Sequence, residues 1–209
     1  MHFRILDLGL ITFSQASILQ KEIFNQVKDR ALESTLIVCR HNPVITLGRK
    51  AGDSNILLSR QQLEDLNIDI QKTERGGDVT YHGPGQLIAY PIFRLDAIKK
   101  DINFFLRRLE ETVIRLLSDF DIKVLRRNGF TGVWTDNNKK ISSMGIAIRQ
   151  WITFHGLSIN VKQGDLANFS YIRPCGMDIR MTSLEEAIGK DIEMELVRDR
   201  LIDNFKAVF

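Results

Sequence analysis

The stretch RGGDVTYHGPGQLIAYPIF, Arg75 to Phe93, decides the fold class, because its glycine-rich run exits into an apolar segment that reads as a strand. The phosphate-binding loops of doubly wound α/β proteins, G-x-G-x-x-G or G-x-x-x-x-G-K-[ST], open a helix instead, and neither pattern stands here. Glycines at 76, 77, 83 and 85 give the backbone access to positive φ and remove side chains that would keep a neighbour away. Two readings stay open on these residues alone. Either a pair of tight turns needs glycine for geometry, or the run walls a channel lined by Arg75, Asp78, Thr80, Tyr81 and His82.

Working outward, His2 to Leu8 reads as a strand, and Thr12 with Gln15 forms a capping-box pattern before a helix reaching about Leu32. TLIVCR and PVITLGR read as buried strands. Ser59 with Gln62 repeats the box before a short helix, and IDIQKTE leads as a strand into the glycine run. Ile102, Phe105, Leu109, Val113, Leu116 and Phe120 fall on one face of a helix that begins at Asp101. GVWTD, a turn at Asn137 and Asn138, KKISSMGIAIRQ and WITFHGLSINV then predict consecutive hairpin strands. In ISSMGIAI, strict alternation groups Ile141, Ser143, Gly145 and Ala147 on a small-residue face, against Ser142, Met144, Ile146 and Ile148 on an apolar one. The small face suits either a ligand or a packed helix. A helix starting at Thr182 and another closing the chain complete an α+β domain spanning 1–209, with a mixed, largely antiparallel sheet and flanking helices.

With 209 residues, 44% hydrophobic and 26% charged, the chain can bury a sizeable core. No apolar run approaches the roughly 20 residues that span a bilayer, and the opening MHFRILDLGL lacks the pattern of a signal peptide, so a cytoplasmic protein without a membrane partner is expected. A net charge of +3 does not indicate nucleic-acid binding, and Arg107, Arg108, Arg115, Arg126, Arg127, Lys139 and Lys140 read as a solvated surface. Two cysteines make neither a disulfide framework nor a zinc site, and no metal is expected. Cys39 lies in the apolar run LIVC. Cys175 lies in RPCG, outside any apolar run, which is the setting of a reactive thiol. A thiol with a pKa near 8.5 is only a few per cent thiolate at neutral pH and needs an activator. His82, His155 or a lysine can supply it, and spacing does not choose among them.

HNPVITLGR, RGGDVTYHGPGQLIAYPI, KKISSMGIAI, FHGLSINV and RPCGM, in this order and at these separations, resemble the lipoyl(octanoyl) transferase family. The resemblance implies the fold of biotin and lipoate protein ligases. It also implies transfer of an octanoyl group from the phosphopantetheine arm of acyl carrier protein to a lysine of lipoyl domains. The acceptors would be 2-oxoacid dehydrogenase E2 subunits and the glycine cleavage H protein, with no bound cofactor. By the same resemblance Cys175 is the acyl-accepting thiol and Lys140 its partner, while Arg75, Gly76, Gly77, Asp78, Val79, Thr80, Tyr81, His82, Ser143, Met144, Gly145, Gly156, Leu157 and Ser158 bind substrate.

The chemistry agrees with that assignment. The donor thioester is already activated, so transfer to a thiolate needs no ATP. An ammonium about 4 Å from the thiol at an effective dielectric near 20 gains at most about 4 kcal/mol, roughly three pKa units before desolvation. Lys140 can then protonate the departing sulfur and, as the neutral amine, deprotonate the target lysine. Backbone N–H groups of Met144, Gly145 and Cys175 are candidates for an oxyanion hole. Three rivals remain. In an ATP-dependent ligase of the same fold Lys140 would bind an acyl adenylate, in a thioester hydrolase Cys175 would pair with His82 or His155, and a non-catalytic acyl-protein binding module would need neither.

Overall fold

The computed structural model describes residues 1–52, 55–173 and 179–209. Ten strands appear in chain order as β1 (Arg4–Ile11), β2 (Thr35–His41), β3 (Val44–Leu47), β4 (Asp69–Lys72), β5 (Val79–His82), β6 (Gln86–Ile92), β7 (Val124–Leu125), β8 (Val133–Thr135), β9 (Lys140–Arg149) and β10 (Ile152–Asn160). The helices are α1 (Phe13–Lys28), α2 (Arg60–Asp65), α3 (Ile102–Ser118), α4 (Leu184–Ile188) and α5 (Met194–Val208). A large sheet runs β1-β2-β6-β10-β9-β8-β7, and a small one runs β4-β3-β5. Pairing is antiparallel except for β1 with β2 and β3 with β4.

The apolar faces explain the layering. Leu36, Val38, Leu87, Ala89, Leu157 and Ile159 of the large sheet pack on one side with Phe105, Leu109 and Val113 of α3 and Val197, Leu201 and Phe205 of α5. On the other side Ile37, Cys39, Ile88, Tyr90 and Ile92 meet Ala16, Ile23, Phe24 and Val27 of α1. Each of these strands is buried on both faces, which is why they read as continuous apolar runs. The small sheet lies beside α1 with its own core, where Ile45, Val79 and Tyr81 meet Leu63 and Ile172.

Both capping boxes form, on Thr12 with Gln15 and on Ser59 with Gln62. The first helix stops at Lys28 rather than near Leu32, because Arg30 takes a left-handed φ of 60° and turns the chain toward β2. The short α4 is capped by Ser183, whose side chain accepts the Glu186 N–H; the Thr182 hydroxyl instead donates to the Glu186 carboxylate. Within the glycine-rich run, Val79–His82 is a strand paired antiparallel to β3. Its alternating apolar residues outweigh the glycines on either side. Gln150 and Trp151, with φ of 52° and 59°, make the two-residue turn between β9 and β10, the left-handed geometry that matches strand twist.

One departure from strict alternation matters for the site. Trp134 pairs with Lys140 and Val133 with Ser142, leaving Ile141 as an extra residue in β9. Ile141 therefore joins Met144, Ile146 and Ile148 in the core beneath α3 instead of sharing a face with Ser143 and Gly145. Lys140, before the bulge, falls on the opposite face, the one that Ser143 and Gly145 occupy.

The basic residues are more engaged than a solvated surface. Buried Glu110 on α3 binds Arg107 at 2.6 Å and Arg126 at 3.2 Å, and accepts the Gly132 N–H at 3.1 Å. Arg115 and Arg126 share Glu111, while Arg108 lies over the Phe104 and Phe209 rings and Lys139 pairs with Glu186. Glu110 thus ties the loop before β8 to α3. Replacing it by Ala leaves the buried Gly132 N–H and Arg107 without this carboxylate, while Arg126 keeps Glu111; a loss of about 2–3 kcal/mol, or roughly 5–10 °C in Tm, is expected by thermal denaturation.

Candidate functional site

The predicted substrate-binding residues converge where the small sheet rests on the β6-β10-β9 surface of the large one. Arg75 is the tie between the two sheets. Its guanidinium donates to the Thr46 carbonyl at 2.7 Å, to Thr46 Oγ1 at 2.9 Å and to the Gly76 carbonyl at 3.2 Å. Burial pushes its pKa down to about 10, which still leaves it cationic at neutral pH. Gly76 N–H donates to the Ile146 carbonyl at 2.8 Å, pinning the glycine run to β9. A Cβ on Gly145 would stand 3.0 Å from the Gly76 oxygen and 3.2 Å from Arg75 Cδ. The small face of β9 is therefore covered by the Arg75–Gly76 segment itself, neither by a helix nor by open space.

Gly145 pairs with Gly156 and Ser143 with Ser158 across β9 and β10. Because Ile146 gives its carbonyl to Gly76 rather than to β10, strand alternation turns the Met144 N–H toward that same free edge and the Gly145 N–H toward β10. Leu157 faces the other way, into the core beneath α3. Val79 and Tyr81 point into the core of the small sheet. Asp78 accepts from Asn55 Nδ2 at 2.7 Å and from the Val79 N–H at 2.7 Å, while Thr80 pairs with Thr46 across β3.

Behind Arg75 sits a buried cluster of three imidazoles. His82 Nδ1 meets Gln86 Oε1 at 2.9 Å; His41 joins the Ile11 carbonyl at 2.9 Å and the Tyr90 hydroxyl at 2.7 Å; His155 stacks on Phe13 at 6.5 Å and meets the edge of Tyr90 at 6.3 Å. His155 reaches this side through a φ of 55°, strained for a non-glycine residue in a strand, so that it and Phe154 both turn toward α1. Its N–H donates to Gln20 Oε1 at 2.9 Å. A cavity of about 280 Å³ opens beside it between α1 and Lys72–Glu74. Desolvation drives the His82 pKa down to about 3 and that of His155 to about 4, and lowers His41 as well, so all three are neutral at pH 7. Among the described residues no trio of His, Cys, Asp or Glu is arranged to hold a metal ion.

His41 and Tyr90 were not among the predicted site residues. A signal exists in hindsight: a histidine directly after LIVCR and a tyrosine inside QLIAYPIF are polar groups in segments with no exposed position. Cys39, the other thiol, lies in the α1-side core with its pKa raised far above the ordinary value, chiefly by burial, as its apolar setting indicates.

Lys140 is half-buried at the start of β9. Its N–H donates to the Arg180 carbonyl at 2.8 Å, its carbonyl accepts the Thr182 N–H at 3.0 Å, and its ammonium stands 5.2 Å from the Trp134 ring centre. Cys175 lies outside the described residues. The chain on its N-terminal side is paired to the glycine run's neighbours, through Ile172 with Ile56 and Arg173 N–H on the Asn55 carbonyl at 2.9 Å. On its C-terminal side the next anchor is Lys140 itself, through Arg180 and Thr182.

The family model described as "Lipoyl protein ligase A/B catalytic domain" matches residues 14–206. An octanoyltransferase of Thermoanaerobacter sp. (strain X514) is 40% identical over 207 residues, 98% of this chain and 89% of that protein. One of Cytophaga hutchinsonii is 39% identical over 222 residues, covering 97% and 91%. Among solved structures, the bipartite lipoate protein ligase of Thermoplasma acidophilum superposes with a TM-score of 0.77 at 18% identity, covering all of this chain and 84% of the other. The biotin protein ligase of Aquifex aeolicus gives 0.57 at 15% identity, covering all of this chain and 69% of the other. The expected α+β architecture is thus the observed one.

A histidine with a lowered folded pKa contributes stability that is complete above the unfolded pKa near 6.5 and is lost as pH falls toward the folded value. For His82 that window runs from about pH 6.5 down to about 3. Between pH 7 and pH 5 the wild type should lose about 2 kcal/mol through this residue, and His82→Gln should show a correspondingly flatter dependence of Tm on pH.

Proposed function

The chain belongs to the lipoyl protein ligase A/B catalytic domain family and is an octanoyltransferase of protein lipoylation; on that premise we propose that it works through a thioester on Cys175 with Lys140 as the acid and base. The donor in this reading is octanoyl-acyl carrier protein, and the acceptors are the lysines of lipoyl domains in E2 subunits and of the glycine cleavage H protein. The cytoplasm, where these proteins meet, is its place of action, and no metal or organic cofactor takes part.

One observation carries the reading. The face of β9 that bears Lys140 also bears Ser143 and Gly145 under the Arg75–Gly76 cover, and Lys140 holds the chain that resumes after the cysteine motif. A thiolate at Cys175 attacks the thioester carbonyl, and the negative charge that develops on oxygen needs a donor. The Met144 N–H, on the free edge of β9, suits that role better than Gly145, whose N–H faces β10. As the carbon–sulfur bond of the donor breaks, the Lys140 ammonium gives its proton to the departing phosphopantetheine sulfur. The amine left behind takes a proton from the lipoyl-domain lysine, whose neutral nitrogen attacks the acyl-enzyme. Collapse of the second tetrahedral intermediate forms the amide and returns Cys175 as thiolate; the second proton of the attacking nitrogen passes to solvent and Lys140 is left protonated, so each turnover releases one proton from the target ammonium.

The neutral surroundings behind Arg75 fit an apolar guest. With His41, His82 and His155 uncharged, the surroundings behind Arg75 hold no imidazolium, and Arg75 itself is hydrogen-bonded to Thr46 and to the Gly76 carbonyl. Each buried CH₂ contributes about 0.8 kcal/mol.

Intact-protein mass spectrometry after mixing with octanoyl-acyl carrier protein, without ATP, should show one octanoyl adduct that maps to Cys175 and leaves when an apo lipoyl domain is added. Domain octanoylation only with ATP and free octanoate would assign the ligase chemistry instead, and release of octanoate without acceptor would assign the hydrolase. In the same assay Lys140→Ala should slow transfer by a hundredfold or more.

A further inference from the structure

The proposed mechanism asks one side chain to give up and take back a proton at a fixed place, yet a lysine has four rotatable bonds and is by nature a poorly positioned acid. What surrounds Lys140 answers that difficulty. Trp134, its partner across β8 and β9, is 1% exposed, and the Lys140 ammonium stands 5.2 Å from the centre of its ring. Gly132 closes the seat from the other side. It has a φ of 136°, and a Cβ there would stand 2.5 Å from Lys140 Cε and 2.7 Å from the Ser142 carbonyl oxygen, so any side chain would displace the lysine stem. The position of Gly132 is in turn set by buried Glu110, which accepts its N–H at 3.1 Å.

The ring that carries Lys140 carries a second cation. The Arg127 guanidinium lies 5.3 Å from the centre of Trp134 and 4.8 Å from that of Phe130, and Phe130 meets Trp134 edge-on at 6.1 Å. The indole Nε1–H has no hydrogen-bond partner among the described residues, so the ring is held by packing and by these face contacts rather than by a polar anchor. An aromatic face favours the ammonium over the amine, and a neighbouring guanidinium favours the amine. Trp134 and Arg127 thus act on Lys140 in opposite directions.

We propose that Trp134 is the positioning residue of the lysine acid and base, its ring face fixing the Lys140 ammonium, with Arg127 on the same ring setting how readily that ammonium yields its proton. The inference rests on the catalytic reading of Lys140. It extends that reading to a unit of four residues, Glu110, Gly132, Trp134 and Lys140, that reaches from α3 to the start of β9.

The test is the pH dependence of Cys175 acylation from octanoyl-acyl carrier protein, measured by stopped reaction and mass spectrometry on Trp134→Phe, Trp134→Leu, Arg127→Gln and Lys140→Ala. Trp134→Leu should lower the rate at pH 7 at least tenfold and move the alkaline limb of the profile down by about half a pH unit or more, because the ammonium loses its ring. Trp134→Phe, which keeps a face, should recover most of both. Arg127→Gln should move the limb upward, by about half a unit, at near wild-type maximal rate. Equal losses in the Phe and Leu variants, or wild-type profiles in Leu and Gln alike, would overturn the proposal. If Trp134→Leu does not fold, as judged by its thermal transition, Arg127→Gln decides it: an upward shift supports the proposal, and a downward shift or none overturns it. Wild-type acylation by Lys140→Ala would instead overturn the catalytic reading on which the inference stands.

Discussion

The architecture turns on a guanidinium placed between two sheets. Arg75 must stay charged in a setting that disfavours charge, and it does so because the Thr46 backbone and hydroxyl and the Gly76 carbonyl present three oxygens to its fork. Those contacts hold the glycine run on β3, and the Gly76 N–H on the Ile146 carbonyl sets that run against β9, so that position 145 has no room for a side chain. They also explain the neutral histidines, since a fixed cation beside buried imidazoles adds to desolvation in keeping them unprotonated. One residue thereby bears on the packing of the glycine run, the cover over Gly145 and the electrostatics behind it.

Much of this was legible in the sequence, for identifiable reasons. Both capping boxes formed because Thr12–Gln15 and Ser59–Gln62 satisfy backbone donors locally, whatever the tertiary context. The helix of Ile102–Ser118 followed from its apolar stripe, and the β9–β10 hairpin from alternation and a turn. The α+β class followed from a glycine run that leads into a strand. What escaped prediction depended on partners distant in sequence. Strict alternation placed Ile141 on the wrong face because the bulge is set by the pairing of β8 with β9. Arg107, Arg115 and Arg126 are exposed as expected, but nothing in the sequence announces that Glu110 is buried and pairs with two of them.

The site itself was legible only in part, and unevenly. Motif resemblance pointed to the glycine run, to Ser143–Gly145 and to Gly156–Ser158, and these do meet in space. Within that set the directions differ: Arg75 and Gly76 lie directly against Gly145, whereas Val79, Tyr81 and Leu157 pack into cores. His41 and Tyr90 were missed because an isolated polar residue in a strand with no exposed position carries no periodic signature. His155 holds its place through a left-handed backbone that no propensity predicts.

The bulge at Ile141 gives β9 a property that belongs to arithmetic more than to chemistry. Lys140 owes its face of the sheet to one residue of slack between Trp134 and Ser142, and every residue beyond it keeps its own address. Regular pairing of the same residues, with Ile141 opposite Trp134 instead of bulged, would leave the hydrophobic content, the strand ladder and the turn almost unchanged, yet would swing the lysine through the sheet into the layer beneath α3. Such a molecule would still be assembled and would contain every group the reaction needs. The reading frame of a strand can thus be as specific a determinant of an enzyme as the identity of its side chains, and it is one that a list of matched residues does not display.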